Sequence, residues 1–130
     1  MTAVPSDHDA RRGTARSGEA LAALFLRVKG YRIEARNWRC ALGELDIVAR
    51  QGGTLVFVEV KTRRGASAGR PEEAVTATKQ QRLVRLAQAY LLARRTPDAP
   101  CRFDVIAVER ARFGPRIRHL RAAFRADGLV

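Results

Sequence analysis

The chain is poor in the residues that staple or metallate small proteins. Its two cysteines, Cys40 and Cys101, form no CxxC pair and have no histidine at ligand spacing. That argues against a disulfide framework and against a zinc site, and it fits a reducing compartment. The two histidines, His8 and His119, are equally isolated. No stretch approaches the roughly 18 apolar residues a membrane-spanning helix needs, and the N-terminus lacks the apolar run of a signal peptide. The expectation is a cytoplasmic protein with no membrane partner. Internal repeats and low-complexity blocks are missing too.

Acids are also scarce. Lys and Arg number 25 against 13 Asp and Glu, a net charge of +12. Most of the excess is arginine, whose planar fork suits phosphate better than an ammonium does. A surface of this kind favours polyanions by releasing their condensed counterions, so nucleic acid is the expected partner. An anionic membrane fits less well, because no basic amphipathic helix carries large apolar anchors. With 130 residues, 46% of them apolar, the chain suits one domain with a core that needs no staple.

Residues 1–16 are polar and aperiodic and read as a mobile N-terminal tail. The domain is expected over 17–121, with 122–130 a C-terminal tail. Leu21, Leu24, Phe25 and Val28 fall at i, i+3, i+4 and i+7 of a helix ending at Gly30. A second line of the same spacing joins Glu19, Ala22, Ala23 and Leu26. By itself, Glu19 is explained as an acid in a helix's first turn, favoured by the macrodipole.

Strand-like segments follow at 31–38, 44–50 (ELDIVAR) and 54–61 (TLVFVEVK), the last rich in β-branched residues. Gly52-Gly53 between the last two suits a two-residue hairpin loop. A basic Gly- and Ser-rich loop covers 62–72. A long helix is expected over 76–95, with Leu83, Leu86, Ala87, Tyr90 and Leu91 as its apolar stripe. RFDVIAVE at 102–109 reads as another strand, and 116–120 as a short edge strand. The order α-β-β-β-α-β makes an α/β fold, a mixed sheet flanked by helices. The strands joined through the long helix should be parallel.

The hairpin makes a chemical prediction. If Gln51 faces Thr54, then stepping along both strands brings Asp46 opposite Glu59 and Glu44 opposite Lys61. Facing Cβ atoms lie about 4.5–5.5 Å apart, close enough for two carboxylates to share one cation. Like charges so placed destabilise a sheet, and Glu59 stands among valines. A Mg²⁺ or Mn²⁺ ion, which prefers oxygen ligands, would remove the conflict, with the Val60 carbonyl as a further donor. Lys61, about 6.5 Å further along the same face, could orient water or neutralise a phosphodiester's transition state. The competing explanation is an ordinary strand end, with Lys61 paired to Glu44 or Glu59. Asp104 is best explained by a structural hydrogen bond to neighbouring backbone, and Tyr31 and Trp38 as packing residues, although an exposed Trp38 could stack on a base.

GE at 18–19, GY at 30–31, RNWR at 36–39, GELDIVA at 43–49, LVFVEVKTR at 55–63 and RFDVIAV at 102–108 together resemble the YraN-like family of bacterial proteins. That family is similar in turn to the PD-(D/E)xK nuclease superfamily, especially archaeal Holliday junction resolvases. The resemblance implies a restriction-endonuclease-like core. It makes Asp46 and Glu59 the metal ligands, Lys61 and the helical acid Glu19 the catalytic residues, and Lys79 a phosphate neighbour. Arg63, Arg64 and Arg70 would hold the nucleic-acid backbone. It implies a metal-dependent endonuclease acting on DNA, branched or structured DNA included, and a homodimer if cutting is symmetric. The rival reading is a non-catalytic nucleic-acid-binding or assembly module that keeps the fold.

Overall fold

The computed structural model describes residues 7–64 and 75–125, with side chains from residue 16 and up to residue 63 in the first segment. Helix α1 (Asp7–Val28) leads into strands β1 (Arg32–Cys40), β2 (Gly43–Gln51) and β3 (Thr54–Arg64). Helix α2 (Ala77–Ala93) crosses to β4 (Cys101–Ala111), and a hairpin returns as β5 (Gly114–Phe124). The five strands form one sheet in the order β1-β2-β3-β4-β5. Only β3 and β4 pair in parallel, as a crossover through a helix requires; the other pairings are antiparallel. The α/β class and the mixed sheet are thus as expected.

Each helix covers one face. The stripe Leu83, Leu86, Ala87, Tyr90 and Leu91 of α2 is buried against Leu45, Val48, Leu55, Phe57, Phe103 and Val105. On the other face Ala22, Ala23 and Leu26 of α1 meet Ile47, Ala49, Val56, Val58, Ile106 and Val108. The larger side chains expected to anchor α1 do not: Leu24 is 56% and Val28 80% exposed, while Leu21 and Phe25 are only partly buried. The small residues win because the helix lies close to the sheet. A Cβ on Gly18 would stand only 2.1 Å from Thr62 Oγ1, so the glycine is what permits the approach.

Both expected tails need correction. α1 begins at Asp7, so residues 7–16 are helical rather than structureless. Adding turns to a helix already anchored by packing is far easier than nucleating one, and the Ala and Arg residues there are good helix formers. At the other end β5 runs to Phe124, four residues beyond the strand expected. Phe124 is buried and stacks on Phe103 with ring centroids 4.8 Å apart, which draws the strand's end into the core.

Candidate active site

The site lies where β2 and β3 part. Their ladder runs from Gln51↔Thr54 to Ile47↔Val58, in the register the Gly52-Gly53 loop implies, and stops there. At the next step Asp46 does not continue the backbone pairing. Its carboxylate instead accepts the Val60 N–H at 2.9 Å. The strand turns over at this point: Ile47 packs on the α1 side, whereas Leu45, two residues earlier, packs on the α2 side. Strict alternation would keep both on one face.

The partner strand turns at the same place. In β1, Arg36 pairs with Ile47 and Trp38 with Leu45, and Asn37 between them takes φ +52. Asparagine tolerates that left-handed conformation better than most residues. With its amide nitrogen facing the carboxylates, Asn37 donates to Glu19 Oε2 at 2.6 Å and to Glu44 Oε1 at 2.8 Å. Asn37 thus links β1, β2 and α1 at the head of the site. Nothing in composition or periodicity marks it; the signal available was an Asn inside a strand, in RNWR.

Three acids form a chain with Asp46 in the middle. Asp46 stands next to both Glu59 and Glu19, close enough for each to act on its carboxyl. Burial, then the charge of Glu59 and that of Glu19, push its carboxyl up to about 8. Glu19 is also raised, first by burial and then by the negative charge of Glu44. It reaches Asp46 because it lies on the buried Ala22–Ala23–Leu26 line of α1, not because it caps a helix. Among the described residues no three His, Cys, Asp or Glu side chains already stand in metal-ligand geometry.

On the α2 side a pair of cations answers the acids. Lys61 Nζ lies 3.2 Å from Glu59 Oε1, both side chains largely sheltered. Lys79 comes up to Lys61 from the first turn of α2, placed by Thr76, whose side chain caps the helix by accepting the Lys79 N–H at 3.3 Å. Contact with Lys61, then burial, lowers the Lys79 ammonium's pKa. The expected facing of Glu44 and Lys61 is not formed. Beyond Ile47 the strands are unpaired, and Glu44 turns to Arg39 at 3.3 Å and to Asn37. Arg63 is half-buried; the Arg64 side chain and Arg70 lie outside the described residues.

Asp104 belongs elsewhere. Fully buried on β4, it accepts Ala122 N–H at 2.9 Å, Arg102 at 3.0 and 3.2 Å, and His119 Nε2 at 2.7 Å. Trp38 packs edge-on to Tyr90 at 5.3 Å and is half-buried. Both are structural, as expected.

Family comparison agrees with the motifs. The model of the uncharacterised protein family UPF0102 matches residues 18–108. The chain belongs to the UPF0102 family. A UPF0102 protein of Symbiobacterium thermophilum is 53% identical over 116 residues, covering 88% of this chain and 98% of its own. UPF0102 relatives in Syntrophotalea carbinolica and Nocardia farcinica are 51% and 54% identical, over 91% and 82% of this chain and 96% and 85% of theirs. This is the YraN-like family to which the motifs pointed. All the residues of the acid chain and Lys61, Lys79 and Asn37 fall inside the matched UPF0102 segment. Among solved structures, SfsA of Pyrococcus furiosus in complex with Ca²⁺ aligns with 85% of this chain and 63% of its own, at 13% identity and a TM-score of 0.36. In the described residues no helix is long and apolar enough to cross a membrane.

Proposed function

We propose that this UPF0102 protein is a Mg²⁺- or Mn²⁺-dependent nuclease that hydrolyses phosphodiester bonds in DNA. One observation carries the reading: like charges of both signs are gathered side by side. Glu19, Asp46 and Glu59 crowd together where a cation would relieve them, and Lys61 and Lys79 crowd together where an anion would. The Glu59–Lys61 contact joins the two groups. A divalent cation and a phosphate, bound next to each other, answer both at once.

The donor set fits such an ion. Every candidate side-chain ligand is a carboxylate, and the Val60 carbonyl is a further oxygen, a set that selects hard cations over zinc or copper. The Asp46 carboxyl raised to about 8 is the mark of a site that holds a proton for want of a stronger cation. Asp46 and Glu59 would hold the metal. When bound, it supplies Lewis-acid neutralisation of the charge that builds on the phosphate.

The chain's own side chains do the rest. Lys61, held by Glu59 at the edge of the acid group, places its ammonium against a non-bridging phosphate oxygen, and Lys79 adds a second positive charge beside it. Glu19, with its raised pKa, takes up a proton from the attacking water more readily than an exposed glutamate would. Water oxygen bonds to phosphorus, the phosphorus–oxygen bond to the leaving strand breaks, and that oxygen acquires a proton from solvent.

The decisive test is cleavage of four-way-junction, flapped, duplex and single-stranded DNA with Mg²⁺, Mn²⁺ or EDTA, by wild type, Asp46→Asn and Lys61→Ala. Cutting by wild type alone, and only with metal, is expected. Salt-sensitive binding by all three with no cutting would instead select the non-catalytic nucleic-acid-binding module.

A further inference from the structure

The β4–β5 hairpin carries a feature that the nuclease centre does not use. Its strands close through Ala111↔Gly114, leaving Arg112-Phe113 as the two-residue tip, with Gly114 at φ +116. Phe113 is 96% exposed. Its ring touches the guanidinium of Arg112, whose Cζ lies 5.7 Å from the centroid. Arg110, Arg112, Arg116, Arg118 and Arg121 stand on the same short hairpin, all exposed. The acids of these strands, Asp104 and Glu109, are both buried, and Glu109 lies 3.9 Å from Arg118.

A basic edge strand is commonly explained as protection against edge-to-edge pairing. That accounts for the arginines and for Pro115, but a bare phenylalanine at the tip works against it. An exposed aromatic ring among arginines and free of acids matches what unpaired nucleic acid needs: charge for the backbone and a flat apolar face for a base.

Position supports the match. β4 runs parallel to β3, with Lys61 beside Ala107 and Arg64 beside Arg110. The hairpin therefore continues beyond the end of β3 at which the candidate active site lies. At about 3.3 Å per residue, Phe113 stands roughly 15–20 Å along the sheet from Lys61, within reach of one bound DNA.

We infer that the β4–β5 hairpin is a base-stacking element, in which Phe113 receives an unpaired base and the flanking arginines hold its backbone. The substrate class is thereby narrowed to DNA with unpaired bases next to duplex, such as a flap or an opened branch. This rests on the nucleic-acid partner of the nuclease reading, but not on catalysis.

Binding in EDTA, where cleavage is silent, tests it separately. Labelled flapped, single-stranded and blunt duplex DNA would be titrated by anisotropy with wild type, Phe113→Ala, Phe113→Trp and the double variant Arg112→Ala/Arg116→Ala. Phe113→Ala should weaken flapped and single-stranded DNA about ten-fold, as loss of one stacked base does, and leave blunt duplex and the salt dependence unchanged. Phe113→Trp should restore affinity and show an emission change on binding that wild type lacks. The arginine variant should weaken all three DNAs and reduce the salt slope by about 2. Wild-type affinity of Phe113→Ala for flapped DNA, or equal losses on flapped and blunt DNA, would overturn the inference. A cleavage-dead wild type that still showed the Phe113 effect would sink the nuclease reading and leave this one standing.

Discussion

Two aspartates are carried on the strands of this sheet, and their surroundings are opposite. Asp104 is fully buried, yet its carboxylate meets two donors from Arg102, the His119 ring and a backbone N–H. Burial works to raise its pKa, but the hydrogen bonds from His119, Arg102 and Ala122 outweigh it and hold the carboxyl below its ordinary value. Lys29 donates to the other ring nitrogen of His119 at 2.9 Å. Since an ammonium can only donate, Nδ1 accepts from Lys29, and the Nε2–H donates to Asp104. Asp46 is less buried, but its neighbours are Glu59 and Glu19, and a single backbone N–H opposes them. One aspartate is satisfied by the fold. The other is left for something the fold does not contain. Charge inside the sheet is therefore not itself a sign of function; the lack of internal compensation is.

The largest effect should come from breaking the satisfied one. Asp104→Ala leaves Arg102 and the Ala122 N–H without their acceptor, and removing one partner of a buried ionic network costs about 3–5 kcal/mol. Denaturant titration should show that loss. Asp46→Asn should go the other way, gaining of the order of 1 kcal/mol without metal as like charges on facing strands are relieved. Loss of stability in both variants would erase the contrast.

Acidity separates the two by sign. Asp104 has a depressed folded pKa, so its stabilisation is present above the unfolded value of 3.8 and is lost as pH falls below that. Asp46 is raised to about 8, so its contribution is present below 3.8 and is lost as pH climbs toward 8. In EDTA, the Tm advantage of Asp46→Asn over wild type should therefore grow from pH 4 to pH 8. Mg²⁺ at pH 8 should raise the wild-type Tm and leave that of Asp46→Asn unmoved.

Catalysis gives the next effect. Lys61→Ala should lower the cleavage rate about 10²–10³-fold, the usual cost of one transition-state electrostatic contact, with Tm and DNA affinity close to wild type. A variant that still cuts at the wild-type rate would remove Lys61 from the chemistry.

How far this contrast could be read in advance depends on what each feature rests on. The β2–β3 register was legible because a Gly-Gly loop and alternating apolar residues determine it, and Ile47↔Val58 stands where they put it. The α2 stripe was legible for the same reason. The approach of α1 was not. Periodicity offered two lines and size favoured Leu24 and Val28, but distance to the sheet decided for Ala22 and Ala23. The turn-over at Asn37 and Asp46 was also hidden, since a local reversal of side-chain direction leaves no period behind. Asp46 and Glu59 meet as expected, although by way of a parted ladder. The hub of Asp104 draws in residues up to 18 positions from it, with Lys29 beyond them, and a lone His119 in the sequence carried no sign of it.

Gly18 sharpens the point about distance. Gly18→Ala would drive a methyl into Thr62, for which overpacking costs of about 1–3 kcal/mol are usual. It should also lift Glu19 from Asp46 and slow cleavage. The double variant Gly18→Ala/Thr62→Ala, which clears Oγ1 and Cγ2, should recover most of both. Recovery of stability without cleavage would mean that α1 no longer positions its acid.

The smallest effect tests whether the unsatisfied acids are held in place or merely adjacent. Asn37 binds Glu19 through its side-chain amide, and it also fixes Glu44, whose charge helps to raise Glu19. Asn37→Gly keeps the positive φ at no steric cost, so a loss there reports the amide and not backbone strain. Without that amide, the Glu19 carboxyl loses a hydrogen bond that lowers its pKa. The acidic limb of the rate profile should then move to higher pH, and the rate at its plateau should fall about ten-fold, as when a residue orienting a metal site's acid is removed. Asn37→Ala should show the same kinetic change with an added stability loss from the left-handed backbone. An unshifted profile in Asn37→Gly would reduce the residue to a turn-former, and would leave Glu19 positioned by α1 alone.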